Sequence, residues 1–381
     1  MRTHRLSREP RSILLVSYGG IGDLLLTTPL LASLKGAFAD AQIDVYVQAG
    51  REGMLDGNPD VSRRLTAKRR HGGATYARFM VEQSCRYDLA VSVRVSDRQV
   101  LLARAAGRKA IGLVPKRGDN AWWKQRILSG WAGADASRHV VFDMLQLADV
   151  LEIPRITSCR APEDPRSEQR LDDLLPFAWR AEPFAVLHLT PRNTYKEWTP
   201  AGWEAVTRHL VSRDQRVVLV GGRGDRDVAY AEHLAGQMGT GVANITGRTS
   251  FAEAAALLRC GRAFIGPDTA TTHLAAVVNA PTVALYGNFP IRYPPYHNAL
   301  EQAPYEATAP CHYVSGPVHM ITGRSPDRAG PAEAEPSIAE TRAFMQSIAP
   351  AAVIDVIDDV LALHPARPRE SDPTGSPNPV R

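Results

Sequence analysis

Apolar residues along this chain alternate between two rhythms. Short runs of Ile, Leu, Val and Ala stand next to stretches in which apolar residues recur every three or four positions. The first rhythm is that of a strand buried on both faces and the second that of an amphipathic helix. SILLVSY (12–18) is the first run, and GGIGD (19–23) is a glycine-rich turn after it. DLLLTTPLLASLKGAF (23–38) has helical spacing. QIDVYVQ (42–48) and YDLAVSV (87–93) read as strands, followed by a helical stretch to Ala106, the short segment RKAIGLV (108–114) and a helix from about Ser137 to Glu152.

A polar, proline-containing connection, APEDPRSEQRLDD (161–173), follows, and then the alternation restarts. FAVLHLTP (184–191), QRVVLVGG (215–222), GVANITG (241–247), RAFIGPD (262–268) and PTVALYG (281–287) are strands. Helices are expected at 200–214, 227–239, 251–261 and 269–280. Strands alternating with helices predict an α/β fold with parallel sheets, arranged as two Rossmann-like halves in series. The boundaries expected are 1–165 for the first half and 175–345 for the second, then a helical segment over 346–364 and a disordered tail over 365–381. Residues 288–336, rich in Pro and Tyr, read as irregular.

Composition narrows the classes. The chain has 381 residues, 44% hydrophobic and 22% charged, which is globular rather than disordered. No apolar run approaches the roughly 18 residues that would span a bilayer, and the basic N-terminus lacks the apolar region of a signal peptide. A cytoplasmic location is therefore expected. Four cysteines without a CxxC pair argue against a disulfide framework or a zinc ribbon. A metal site at His297, Cys311, His312 and His319 would match no standard spacing, so no metal is expected.

The net charge of +5 is unevenly divided. Residues 1–160 hold 25 Lys/Arg and 15 Asp/Glu, a net of +10, which leaves 20 and 25, a net of −5, for the remainder. A basic half suggests an anionic partner, although a solvated surface would also account for it.

In two facing Rossmann-like halves, ligands bind beyond the carboxyl ends of the strands. Three loops lie there. Gly19, Gly20 and Gly22 allow close backbone approach, and Asp23 is either a helix cap or a general base. This G-G-x-G-D spacing is not the dinucleotide fingerprint, which disfavours a dehydrogenase. Thr190 and Lys196 share the second loop and suit a phosphate, with Trp198 as an anchor. In the third, Asp268 and Thr269 open a helix whose free N–H groups and threonine hydroxyls favour an anion; His273 is a core histidine or a site residue.

At these residues the chain resembles the heptosyltransferase family, glycosyltransferase family 9. The resemblance runs from Ile13 to about Pro290. It rests on GIGDLLLTTPLLASLKGAF, T-x-R-x-x-x-K-x-W, VVLVGGRGDRD and FIGPDTATTHLAAVVNAPTVALYG. It implies the GT-B architecture, two facing Rossmann-like domains. It also implies an inverting, metal-independent enzyme that moves heptose from an ADP-activated donor to lipopolysaccharide core at the cytoplasmic membrane face. No cofactor beyond the nucleotide-sugar is implied, and no nucleic-acid partner.

Carried over by residue, the resemblance makes Asp23 the general base. Thr190, Lys196, Thr269, Ala270 and His273 line the donor diphosphate pocket, Asp225 holds the donor ribose and Asp268 contacts the sugar. It gives the basic half an anionic, lipid-linked acceptor, met by Arg63, Arg64, Lys116, Arg117 and Lys124, with Trp122 and Trp123 beside them for a membrane interface. Ala270 stands where the family often has Gly, Pro191 where some members have Thr, and Asp225 where Glu is common. The other readings are a nucleotide-sugar epimerase or hydrolase of similar fold and a non-catalytic sugar-nucleotide-binding protein.

Overall fold

The computed structural model describes residues 1–67, 77, 80–116, 121–288, 290, 292–324 and 336–365. Of the expectations above, Arg117, part of the 288–336 segment and the tail beyond Pro365 lie outside the described residues.

The first half is a sheet of six parallel strands. These are β1 (Ser12–Ser17), β2 (Gln42–Gln48), β3 (Arg63–Ala67), β4 (Tyr87–Ser92), β5 (Gly107–Pro115) and β6 (Gly130–Ala134), in the order β3-β2-β1-β4-β5-β6. Ile13, Leu14, Leu15 and Val16 of β1 have no exposed surface, because helices cover both faces. The strand order reverses between β1 and β4, so the loops leaving these two neighbours diverge and open a crevice.

The second half is an eight-stranded sheet: β7 (Phe184–His188), β8 (Arg216–Val220), β9 (Val242–Asn244), β10 (Ala263–Pro267), β11 (Thr282–Tyr286), β12 (Glu306–Ala309), β13 (His312–Ser315) and β14 (Val318–Thr322). The order is β12-β13-β14-β11-β10-β7-β8-β9. The reversal here falls between β10 and β7, whose loops begin at Asp268 and Leu189. The C-terminal helix Pro350–Leu363 sets Val353, Ile357 and Val360 into the same core as Leu187, Leu219 and Val283.

Two expectations need correction. The stretch 23–38 is not one helix but two, Ile21–Leu25 and Thr28–Ala37. Pro29 has no N–H for the carbonyl of Leu25 and its ring crowds that carbonyl. The hydroxyl of Thr28 donates to Leu25 O at 2.7 Å instead, and that of Thr27 to Leu24 O at 2.6 Å. Residues 288–336 are not irregular throughout. β14 adds to β11 in parallel, β13 pairs antiparallel with β14, and β12 pairs antiparallel with β13. The β13–β14 turn is Gly316-Pro317, with Gly316 at φ 53°. Among the described residues, no helix is long and apolar enough to cross a membrane.

Candidate active site

Both sheet reversals face one cleft of about 1340 Å³, lined from the first half by the glycine loop and Arg94 and from the second by the loops after β7, β8 and β10. Asp23 sits in the first turn of Ile21–Leu25. Its Oδ2 accepts the Gly20 N–H at 2.6 Å and pairs with Arg94 Nη1 at 2.6 Å. Arg94 follows β4, the strand beside β1, so the sheet itself places the two side chains together.

The glycines make room for this ion pair. A Cβ on Gly19 would lie 2.8 Å from Asp23 Oδ2 and 3.1 Å from Arg94 Nη1, and one on Gly20 would lie 3.0 Å from Oδ2. Gly22 instead lets the two halves approach, because a Cβ there would meet His273 Cδ2 at 3.3 Å.

In the second half, β7 ends at His188, which is buried. Its Nε2–H donates to Thr190 O at 3.1 Å, so Nδ1 accepts the Thr271 hydroxyl at 2.8 Å. Burial lowers the His188 pKa, and only the Thr190 carbonyl and Asp227 oppose this. A neutral His188 thus ties the loop after β7 to that after β10. The rest of the β7 loop is anchored by Trp198, which is buried against Trp203 and donates its own indole N–H to Ile348 O at 3.0 Å. This anchoring presents Lys196 at the end of a 3-10 turn, where it forms an ion pair with Asp268.

The helix Ala270–Val277 opens immediately beyond. Thr269 caps it by accepting the Thr272 N–H at 3.4 Å, and the Thr272 hydroxyl donates to Pro267 O at 2.5 Å. The expected trio of threonine hydroxyls is therefore committed within the protein. The anion-binding capacity lies in the N–H groups of Ala270 and Thr271, which have no acceptor among the described residues. His273 is 5% exposed, and its Nδ1 is buried without a partner. Burial depresses its pKa, with Asp268 and Asp23 opposing this and Lys196 adding to it.

The cleft thus brings together Gly20, Gly22, Asp23, Thr190, Lys196, Asp268, Thr269, Ala270 and His273. Other expected residues lie elsewhere. Asp225 is exposed on the first turn of Asp225–Met238, and the carboxylate lining the cleft from that turn is Asp227. Of the expected acceptor cations among the described residues, only Arg64 lines the cleft, paired with Asp56. Arg63 pairs with the buried Asp44 at 2.7 Å behind it. Lys116 pairs with Asp135 at 2.5 Å. Lys124 is 2% exposed, with its ammonium on Val95 O and Asp97, each at 2.5 Å. Position in the fold makes Lys124 a structural cation.

Sequence reasoning passed over three arginines of the cleft, Arg94, Arg223 and Arg226, and gave no role to a fourth, Arg192 of the T-x-R-x-x-x-K-x-W motif. Arg226 joins the β8 loop to the β7 loop through Glu197 at 2.6 Å and Pro191 O at 3.1 Å. Arg192 and Arg223 have no ion-pair partner among the described residues. The half with net −5 thus offers two uncommitted guanidinium groups to the cleft. Their signal was in the sequence, inside the same strand-end motifs.

The comparisons agree with this geometry. Residues 83–312 match the family model of glycosyltransferase family 9 (heptosyltransferase). The chain is 29% identical over 279 residues to lipopolysaccharide heptosyltransferase 3 of Escherichia coli, covering 70% of this chain and 80% of that one. It is 27% identical over 299 residues to lipopolysaccharide heptosyltransferase 1 of Pseudomonas aeruginosa, covering 72% and 78%. Among solved structures, its fold is similar to that of E. coli ADP-heptose lipopolysaccharide heptosyltransferase II, with a TM-score of 0.69 at 18% identity over 92% of this chain and 99% of that one. It is also similar to E. coli heptosyltransferase WaaC with ADP, with a TM-score of 0.67 at 17% identity over 92% and 99%. The two facing Rossmann-like halves are the GT-B architecture, and the chain belongs to glycosyltransferase family 9, the heptosyltransferases.

Proposed function

We propose that this glycosyltransferase moves a heptose from an ADP-activated donor to a hydroxyl of a lipopolysaccharide-core acceptor, with inversion and without a metal in the chemical step. The observation that carries the reading is Asp23 in the first half facing Lys196, Asp268 and a helix N-terminus in the second across one cleft. Support for the donor and acceptor comes from relatives named as lipopolysaccharide heptosyltransferases and from a structural relative holding ADP.

In this mechanism residues 1–165 hold the acceptor and 175–345 the donor. Asp23 takes the proton of the acceptor hydroxyl as its oxygen attacks the anomeric carbon from the face opposite the diphosphate. The glycosidic bond to the diphosphate breaks, and ADP leaves with the electron pair. Lys196, the N–H groups of Ala270 and Thr271, Arg192 and Arg223 meet the growing charge. Thr190 and His273 line the same pocket, and Asp268 is placed for sugar hydroxyls. Arg64 offers a cation on the acceptor side. The 65% exposed Trp122, one helical turn from Arg126, supports peripheral contact with the cytoplasmic face of the inner membrane.

A calorimetric comparison of ADP, UDP and GDP tests the donor. Tighter binding of ADP than of the others by tenfold or more is expected. Equal affinities would remove ADP from the reading. Free sugar or an epimer formed from donor alone would favour a hydrolase or epimerase.

A further inference from the structure

Chain from the second half crosses to the first directly after β11, in the Pro- and Tyr-rich segment that includes Arg292–Asn298. Its attachment is extensive. Arg292 pairs with the fully buried Asp143 at 2.7 Å and also donates to Asp135 O at 2.7 Å. The Arg292 carbonyl accepts the Val140 N–H at 3.1 Å. His139 donates to Pro294 O at 3.1 Å, Tyr296 donates to Thr157 O at 2.6 Å, and Asn298 accepts the Cys159 N–H at 2.9 Å. A buried ion pair broken on one side costs several kcal/mol, so this crossing is held firmly.

The segment carries one side chain into the cleft, Tyr293. It lines the cleft together with Arg94, the residue whose guanidinium grips Asp23 Oδ2, and acts electrostatically on that guanidinium. The Tyr293 carbonyl is fixed in turn by the Tyr286 hydroxyl at the end of β11, at 3.4 Å. The second sheet therefore sets Tyr293 into the same cleft wall as the Arg94–Asp23 pair. Arg94 is a fork of five donors, able to hold a carboxylate and a phenol together in one plane. Both contacts of Asp23 fall on Oδ2, and the rotamer they fix orients Oδ1.

We propose that Arg94 and Tyr293 are positioning residues that aim the Asp23 carboxylate, so that the first half's base is set by a side chain from the second half. The proposal rests on the reading of Asp23 as base. It gives the crossing segment a role in catalysis, since the carboxylate is aimed only while the two halves are latched.

The test is steady-state kinetics with ADP-heptose and deacylated lipopolysaccharide-core oligosaccharide, beside ADP calorimetry, on Asp23→Asn, Arg94→Met, Arg94→Lys and Tyr293→Phe. Misaiming a reacting group by about 1 Å costs on the order of a hundredfold. Arg94→Met should therefore lower kcat by about tenfold to a hundredfold, with both KM values and ADP affinity within about twofold of wild type. Arg94→Lys should recover part of that loss, and Tyr293→Phe should lower kcat by several-fold. Tyr293→Phe and Arg94→Lys keep the test open if Arg94→Met does not fold. Unchanged kcat in the Arg94 and Tyr293 variants, beside an inactive Asp23→Asn, would overturn this proposal alone, as would a loss confined to acceptor KM. An active Asp23→Asn would overturn the base reading and this proposal with it.

Discussion

Lowering the pH should loosen the join between the halves through one histidine. His139 caps the helix Val140–Val150 and is 7% exposed. Its Nδ1 accepts the Val141 N–H at 3.2 Å, and its Nε2–H donates to Pro294 O on the crossing segment at 3.1 Å. Both nitrogens are used by the neutral ring, and a second proton would set Nδ1–H against the Val141 N–H. Burial pushes the pKa down to about 3; the Pro294 carbonyl opposes this, while His273 and Arg292 add to it. In the unfolded chain the ring titrates near 6.5. Between these values the unfolded chain binds a proton that the folded one refuses. The contribution is therefore complete above about pH 6.5 and is lost as pH falls below it. At pH 5 the loss spans about 1.5 units, or about 2 kcal/mol at 1.36 kcal/mol per unit. Urea unfolding followed by tryptophan fluorescence at pH 7 and pH 5 measures it. His139→Asn keeps a good helix cap and removes the titration. The variant should lose about 2 kcal/mol less than wild type between the two pH values. Equal losses would refute the reasoning.

Three further outcomes are expected. Gly57 has φ +68°, and a Cβ there would lie 2.4 Å from Glu163 O; Gly57→Ala should cost about 2–4 kcal/mol, read as a lowered Tm. Lys124→Met should cost about 1–3 kcal/mol of stability by stranding Val95 O, while acceptor KM stays unchanged; a raised KM at unchanged stability would return Lys124 to the acceptor side. Lys196→Ala leaves Asp268 unpaired beside the diphosphate pocket, and calorimetry should find ADP bound at least about tenfold more weakly, a change of about 1.4 kcal/mol.

The parallel strands were legible because burial on both faces forces near-continuous apolar runs such as Ile13–Val16. β3 and β6 were not. Arg63 and Arg64 open β3 at the sheet edge, where charged side chains reach solvent, and β6 is built largely of Gly and Ala. The hairpin strands β12 and β13 have four residues each, too few to display a period. In the cleft, the strand-end loops of the second half were legible because chain neighbours are also neighbours in space there. Arg94 was not, because its link to Asp23 depends on β1 lying beside β4, which is a property of the sheet order. The direction of Arg63 and Lys124 was hidden for a related reason. A run of Lys and Arg reports charge but not direction, and Arg63 and Lys124 turn theirs toward Asp44 and Asp97.

The central claim is transfer across the cleft by Asp23 from an ADP-linked donor. Its most direct test is product analysis after incubating the full chain with ADP-heptose and lipopolysaccharide-core oligosaccharide, with and without EDTA. The account predicts a heptosylated product with the anomeric configuration opposite to that of the donor, equal yield with EDTA, and none from Asp23→Asn. Retained configuration, loss of transfer with EDTA, or undiminished transfer by Asp23→Asn would contradict it.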